Sequence, residues 1–392
     1  MAAVIDWLLG SEARSLPSGP TVMKELCLRL NAEGLPLARV SIHVRTLHPQ
    51  IFGIGFYWFR GREDIGVFEA KHGVRDTDMY RRSPLGLIYD QGVPEIRQSL
   101  ELPDEAFQFP RYAEIKAEGM TEYMALPIIF SDGKTHVTSW STDRPGGFTD
   151  EEVEHIKSVL PMFGLLIEIH LNRRIAINLL NTYVGHQAGE RILEGQITRG
   201  SGETIPAAIW FSDLRGFTAL SEKKGRDELL DLLNQYFDCV APPVTERGGE
   251  ILKFIGDAML AIFPLTDEDA CAKALDAAIQ AQASLDKLNS ERSGTGAPVL
   301  AAGIALHVGE VMYGNIGSLS RLDFTVIGPA VNLASRIEGL CPELGANILV
   351  SSAMADRSRK GGSVDLRSLG HHRLKGIDHE IEIFCPNAGS AI

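Results

Sequence analysis

EILKFIGDAMLAIF (250–263) decides how the second half of this chain folds. Two short apolar, β-rich runs flank Gly256-Asp257, a two-residue hairpin signal, so the stretch reads as two antiparallel strands. Working outward, AAIWFSDL (207–214) reads as a strand. RDELLDLLNQYFDCVAPPV (226–244) begins as an amphipathic helix that Pro242 and Pro243 should end or kink. EDACAKALDAAIQAQASLDKL (268–288) is an Ala-rich helix. VLAAGIALHVGEVMYGNIG (299–317) reads as a strand pair turning near Gly309, VNLASRIEGL (331–340) as a short helix and NILVSS (347–352) as a strand.

The order is β-α-β-β-α-β with additions, an α+β sandwich of the ferredoxin-like kind. Upstream, LARVSIHVRTL (37–47) alternates like a half-buried strand with IFGIGFYWF (51–59) as its neighbour, and YMALPIIF (123–130) and THVTSWST (135–142) read as a further pair across Ser131-Asp132-Gly133. Thr149 followed by three acids opens a helix whose apolar positions Val153, Ile156, Leu160, Phe163, Ile167, Leu171 and Ile175 recur at helical spacing, with Pro161 as an expected kink. That stripe fits either burial against its own domain or a dimer-forming connector. TRGSGETIP (198–206) reads as a polar, Gly-rich linker.

At 392 residues the chain is long enough for two or three domains, and 44% apolar with 23% charged residues is ordinary for core-forming protein. The net charge of −13 argues against nucleic-acid binding, though a local site can still be basic. Five cysteines, none in C-x-x-C spacing, point to reduced thiols rather than a disulfide framework. The first residues lack a signal-peptide pattern, and MFGLLIEIHL (162–171) is too short to span a bilayer. The expectation is a cytoplasmic protein with no membrane span.

Asp213 ends a strand and Asp257 tips a hairpin that lies beside that end in such a fold. Two carboxylates there make a hard oxygen site for Mg²⁺ or Mn²⁺, and a pair of such ions can activate a hydroxyl and hold a triphosphate. The residues after Asp213, including Gly216, Phe217 and Thr218, open a helix whose free amides suit phosphate. Taken singly, Asp213 also reads as a helix cap and Asp257 as a turn former. Lys253, on an otherwise apolar strand, must snorkel, pair or contact a ligand. Asn332 and Arg336, four apart, share one helix face and suit a ribose and a developing phosphate charge, although such surface pairs are common.

Together, FSDLRGFT (211–218), ILKFIGDAMLAIF (251–263), GIALHVGEVMYGNIG (303–317), FTVIGPAVNLASRIE (324–338) and HHRLKG (371–376) resemble the catalytic domain of class III adenylate and guanylate cyclases over about 205–387. The resemblance implies a palm-like domain with Asp213 and Asp257 as metal ligands and the Leu214 carbonyl as a further one. It implies Lys253 and Thr325 as base-reading residues, the threonine standing where many members carry aspartate. Asn332 and Arg336 become the pair that orients ribose and stabilises the transition state. It also implies ATP as substrate, two divalent ions as cofactors, and a homodimer whose sites each draw on both chains. ATP over GTP rests mainly on Lys253, which can donate to adenine N1.

Residues 1–172 resemble a GAF sensor domain, with a helix near Val22–Leu30, the paired strands and the closing GGFTDEEVEHIKSVLPMFGLLIEIH (146–170); residues 173–204 then form a helical connector and linker. A small molecule or a protein is the expected signal. His43, His48 and Trp58 could suggest a cofactor, but scattered strand residues more often pack or face solvent. Three other readings stand beside this one. A guanylate cyclase differs only in base choice. A silent sensor would have lost a metal aspartate, the lysine or the arginine. A diguanylate cyclase would carry its Gly-Gly-acid triplet at the hairpin tip, whereas Gly248-Gly249-Glu250 precedes the strand.

Overall fold

A computed structural model describes residues 2–294, 296–358 and 364–387. The chain divides into two compact units, Met1–Leu179 and Leu180–Ile392. In the first, six strands form one sheet: β1 (Arg39–Arg45), β2 (Ile51–Phe59), β3 (Gly66–Lys71), β4 (Ile96–Ser99), β5 (Glu122–Ile129) and β6 (Thr135–Thr142), in the order β3-β2-β1-β6-β5-β4. Alternation on β1 sends Val40, Ile42 and Val44 into a core with Trp58 and Trp140. The helices Gly19–Ala32 and Asp150–Tyr183 close that face through Leu26, Leu30, Ile156 and Phe163. The latter helix continues through Pro161. The opposite face carries a smaller core around Ile88, Tyr112, Tyr123 and Val137. Trp58 is therefore packing, as the plainer reading of that residue had it.

The second unit contains β7 (Gly202–Leu214), β8 (Glu250–Ile255), β9 (Ala258–Pro264), β10 (Ala302–Gly317), β11 (Leu322–Ile327), β12 (Ile348–Ser351), β13 (Leu366–Arg373) and β14 (Glu380–Pro386). The sheet order is β13-β14-β12-β10-β7-β9-β8, with β11 on β10. One face packs Trp210, Met259, Phe263 and Ile304 against the helices Arg226–Glu246 and Ala270–Arg292. The Ala-rich stripe Ala274, Ala278 and Ala281 is fully buried, so small side chains let the second helix lie close. The other face buries Ile209, Ile262 and Tyr313 with Ala330 and Ala334 of the helix Pro329–Glu338.

Two expectations need correction. β10 is one strand, paired to β7 from Ala302↔Leu214 to Gly314↔Gly202, and does not turn at Gly309. Gly309 answers a packing need instead: a Cβ there would lie 2.5 Å from Ala330 Cβ, so glycine lets the helix Pro329–Glu338 press onto the sheet. Within 198–206, Gly202–Pro206 is the exposed start of β7 rather than linker, because β10 supplies it with a partner. Of the two outcomes expected at Pro242 and Pro243, the helix Arg226–Glu246 does not end there: it runs through both, with Val240, Pro243 and Val244 buried in its last turns. Among the described residues, no helix is long and apolar enough to cross a membrane.

Candidate active site

The first cluster forms where two strand ends meet. Ser212 of β7 pairs with Met259 of β9, so the next residue of β7, Asp213, comes level with the β8–β9 turn. That turn is Gly256-Asp257, and Gly256 takes φ +66°, the left-handed value glycine tolerates without strain. The two carboxyl groups lie close enough to interact; partial burial first, and Asp213 beside it second, push the Asp257 carboxyl up to about 6. Oδ1 of Asp213 accepts the Leu214 N–H at 3.1 Å, and Leu214 itself is buried against β10 at Ala302. Glu338, at the end of the helix Pro329–Glu338, is raised to about 7 by burial and then by Asp213. Among the described residues no three His, Cys, Asp or Glu groups are arranged to hold a metal. The fit is therefore of two crowded carboxylates that a divalent cation would relieve, with the remaining ligands from backbone, water and a phosphate chain.

This crowding predicts a pH-dependent response to cations. Because its folded pKa is raised, Asp257 favours the fold when protonated, and that contribution is lost as pH rises through about 6. Mn²⁺ should raise the melting midpoint at pH 7.5, by about 2–4 °C per kcal/mol of binding, and distinctly less at pH 5. Scanning calorimetry checks it. An Asp257→Asn protein with an undiminished shift would contradict the assignment.

Gly216, at φ +72°, caps the short helix Phe217–Lys223, so Gly216, Phe217 and Thr218 begin three residues after Asp213. Gly216 is needed there because the cap takes the left-handed conformation.

The second cluster surrounds a cavity of about 750 Å³ lined by Lys253 of β8, by Asp323 and Thr325 of β11, and by parts of 181–187 and 248–252. Asp323 and Thr325 are two apart on one strand and so share a face. Lys253 is neither snorkelling nor free: its ammonium forms an ion pair with Asp323, and the two side chains are about two-fifths exposed. That pair holds the Asp323 carboxyl below its ordinary range. Asp213, Leu214, Asp257, Asn332 and Arg336 do not line this cavity.

Asn332 and Arg336 lie one turn apart on the helix that Gly309 admits to the sheet. A Cβ built on Gly376 would sit 3.6 Å from both terminal nitrogens of Arg336, so the β13–β14 connection that ends HHRLKG packs beside that guanidinium. Asp323 and Glu338 escaped the sequence reading. Asp323 could have been found from its place two residues before Thr325, opposite a lysine. Glu338 gave no signal short of the fold.

Residues 201–386 match the family model described as the adenylate and guanylate cyclase catalytic domain. An adenylate cyclase of Anabaena cylindrica is 42% identical over 190 residues, covering 47% of this chain and 37% of that protein. A terminal-differentiation-specific adenylate cyclase of Dictyostelium discoideum is 37% identical over 180 residues, covering 45% of this chain and 8% of that protein. This chain thus spans well under half the length of these relatives. A solved bacterial light-regulated adenylyl cyclase superposes with a TM-score of 0.50 at 22% identity, over 67% of this chain and 86% of that one, a likeness of fold.

Proposed function

From the premise that residues 201–386 belong to the adenylate and guanylate cyclase catalytic-domain family, we propose that this chain converts ATP to 3′,5′-cyclic AMP and pyrophosphate as a homodimer. The observation that carries the reading is the contact of Asp213 with Asp257 where β7 meets the β8–β9 turn. In the reaction the ribose 3′ oxygen bonds to the α-phosphorus while the bond from that phosphorus to the α,β-bridging oxygen breaks. Pyrophosphate leaves with the electron pair, and the hydroxyl proton passes to solvent. Asp213 and Asp257, with the Leu214 carbonyl, would hold two Mg²⁺ or Mn²⁺ ions. When bound, these supply Lewis-acid activation of the hydroxyl and neutralise the triphosphate. The amides at Gly216, Phe217 and Thr218 face the phosphates, Asn332 orients the ribose, and Arg336 meets charge developing on the α-phosphoryl group.

The cavity around Lys253 and Thr325 receives the base. Among the described residues, the acid pair does not line the base cavity. Two chains related by a two-fold axis then make two complete sites, each with the acids of one chain and the Lys253, Asn332 and Arg336 of the other.

Adenine offers an acceptor at N1 and a donor at its amino group, matched by Lys253 and by Asp323 or Thr325. GTP is the alternative, and Asp323 is the observation that favours it. A lysine–aspartate pair could also meet guanine O6 and its N1–H. Equimolar ATP and GTP with Mg²⁺, followed by separation of the cyclic products, decides between them. Cyclic AMP should dominate, and Lys253→Glu should cut its yield about tenfold or more by reversing the hydrogen-bond sense at N1. Predominant cyclic GMP from the unaltered protein would overturn the adenine reading.

The first unit we read as a GAF-like sensor, with residues 173–204 coupling it to catalysis. Its α/β build of one antiparallel sheet with flanking helices supports that reading. The five cysteines are all unpaired, in keeping with work in the reducing cytoplasm, where ATP is at hand.

A further inference from the structure

We propose that the first unit binds a small aromatic carboxylate in a cavity walled by β1, β2 and β3, with the carboxylate at Arg39. The cavity measures about 750 Å³, within the range of small-molecule sites. While Val40, Ile42 and Val44 of β1 serve the core, the alternate residues Arg39, Ser41, His43 and Arg45 face the other way. Opposite them on β2, Arg45 meets Gly53 and His43 meets Gly55. A Cβ on Gly55 would lie 2.9 Å from His43 Nδ1, and one on Gly53 would lie 2.7 Å from the Val44 carbonyl oxygen. At Gly53 the obstacle is backbone and at Gly55 a side chain would displace His43, so both glycines line the cavity without filling it.

Arg39 is the observation that asks for a ligand. Its side chain is 3% exposed, it lines the cavity, and its Nε and Nη1 have no hydrogen-bond partner. Glu118 stands 3.4 Å from Nε, an ion pair without a formed hydrogen bond. Burying guanidinium donors unpaired is unfavourable, and burial lowers the Arg39 pKa accordingly. His43 does not share the positive charge: burial first, then Arg39 and Arg111, bring it down to about 3, so it is neutral.

The chemistry of the ligand follows from the walls and the charge. Arg39 lies over Tyr57 and Phe59, with 5.3 and 5.7 Å to the ring centres, and Arg45 lies over Tyr89 at 4.3 Å. Rings thus already flank the cations, and Val67 and Phe68 add apolar wall. A flat apolar body fits beside them. Arg39, Arg45, Arg82 and Arg111 line the cavity against Asp78 and Glu114, while Glu118 and Asp90 lean on two of the arginines. That balance suits one negative charge better than the two of a phosphate monoester.

The test uses the full chain and isothermal titration calorimetry with benzoate, 2-naphthoate and indole-3-carboxylate, each beside its neutral amide. At least one acid should bind saturably, one molecule per chain, below about 1 mM, with its amide and the Arg39→Gln protein each about tenfold weaker or worse. Phe68→Glu alters a cavity residue 48% exposed, so it spares the core, and its carboxylate should also weaken the acid. No saturable binding by any acid would overturn the proposal. So would an amide that binds as tightly as its acid, or undiminished binding in both variants. Should Arg39→Gln fail to fold, Phe68→Glu alone decides. Because the readout is binding, the result is independent of whether the second unit makes cyclic AMP.

Discussion

Replacing Asp257 by alanine will lower cyclic AMP formation by about three orders of magnitude, on the order of 4 kcal/mol of transition-state stabilisation, and will leave the fold intact. The size follows from what the carboxylate is asked to do. It stands beside Asp213 where two strand ends converge, so the two carboxylates crowd each other, and a divalent cation held by both would relieve that crowding. With one acid gone, the remaining carboxylate would hold the proposed cations weakly, and the hydroxyl and triphosphate would lose the activation those ions supply. Folding should not suffer, because the β8–β9 turn depends on the left-handed Gly256 and no non-glycine residue there has positive φ. Losing a crowded charge should hold the melting midpoint level or raise it at neutral pH. Turnover assays with circular dichroism melts check both halves. A folded Asp257→Ala protein with near-native turnover would sink the metal assignment.

Arg336→Ala will have an effect of similar size by a different route. An arginine at a transferring phosphoryl group contributes about 10³–10⁵ in rate, acting on charge that develops only in the transition state. The loss should therefore fall on kcat, with KM for ATP little changed. Arg336→Lys should recover only part, because an ammonium is a point charge where the guanidinium is a planar fork. A variant that raises KM alone, with kcat intact, would show Arg336 to be a ground-state binding residue. The loop beside Gly376 packs along this guanidinium, so local disorder is the other way to lose activity. An unchanged melting curve excludes it.

Much of this architecture could be read from residues alone, for identifiable reasons. IFGIGFYWF and THVTSWST coincide with β2 and β6 because β-branched and aromatic runs bounded by turn residues have few other uses. The contact of Asp213 with Asp257 was legible because a hairpin turn and a strand end have fixed geometry once the strand order is known. Gly309 misled because glycine serves turns and close packing alike; only the position of Ala330 tells which. Gly202–Pro206 looked like linker because an exposed strand lacks apolar alternation, and its partner Glu310–Gly314 lies more than a hundred residues on. Asp323 and Glu338 were missed because their roles depend on Lys253 and Asp213, which approach from other strands. The cavity at Arg39 was equally hidden. A polar strand face reads as solvated until the segment from Asp78 to Glu114 is folded over it.

The most direct test of the composite cyclase site is to mix the two dead variants. Asp257→Ala and Arg336→Ala chains carrying different affinity tags are co-expressed, mixed dimers are confirmed by sequential capture, and cyclic AMP is measured against the unaltered protein. A mixed dimer has one site with both defects and one with neither. Random pairing makes about half the dimers mixed, so activity should return to roughly a quarter of the unaltered level per chain if transition-state charge stabilisation dominates at each independent site. Confirmed mixed dimers no more active than either variant alone, or a monomer with full turnover, would contradict the account.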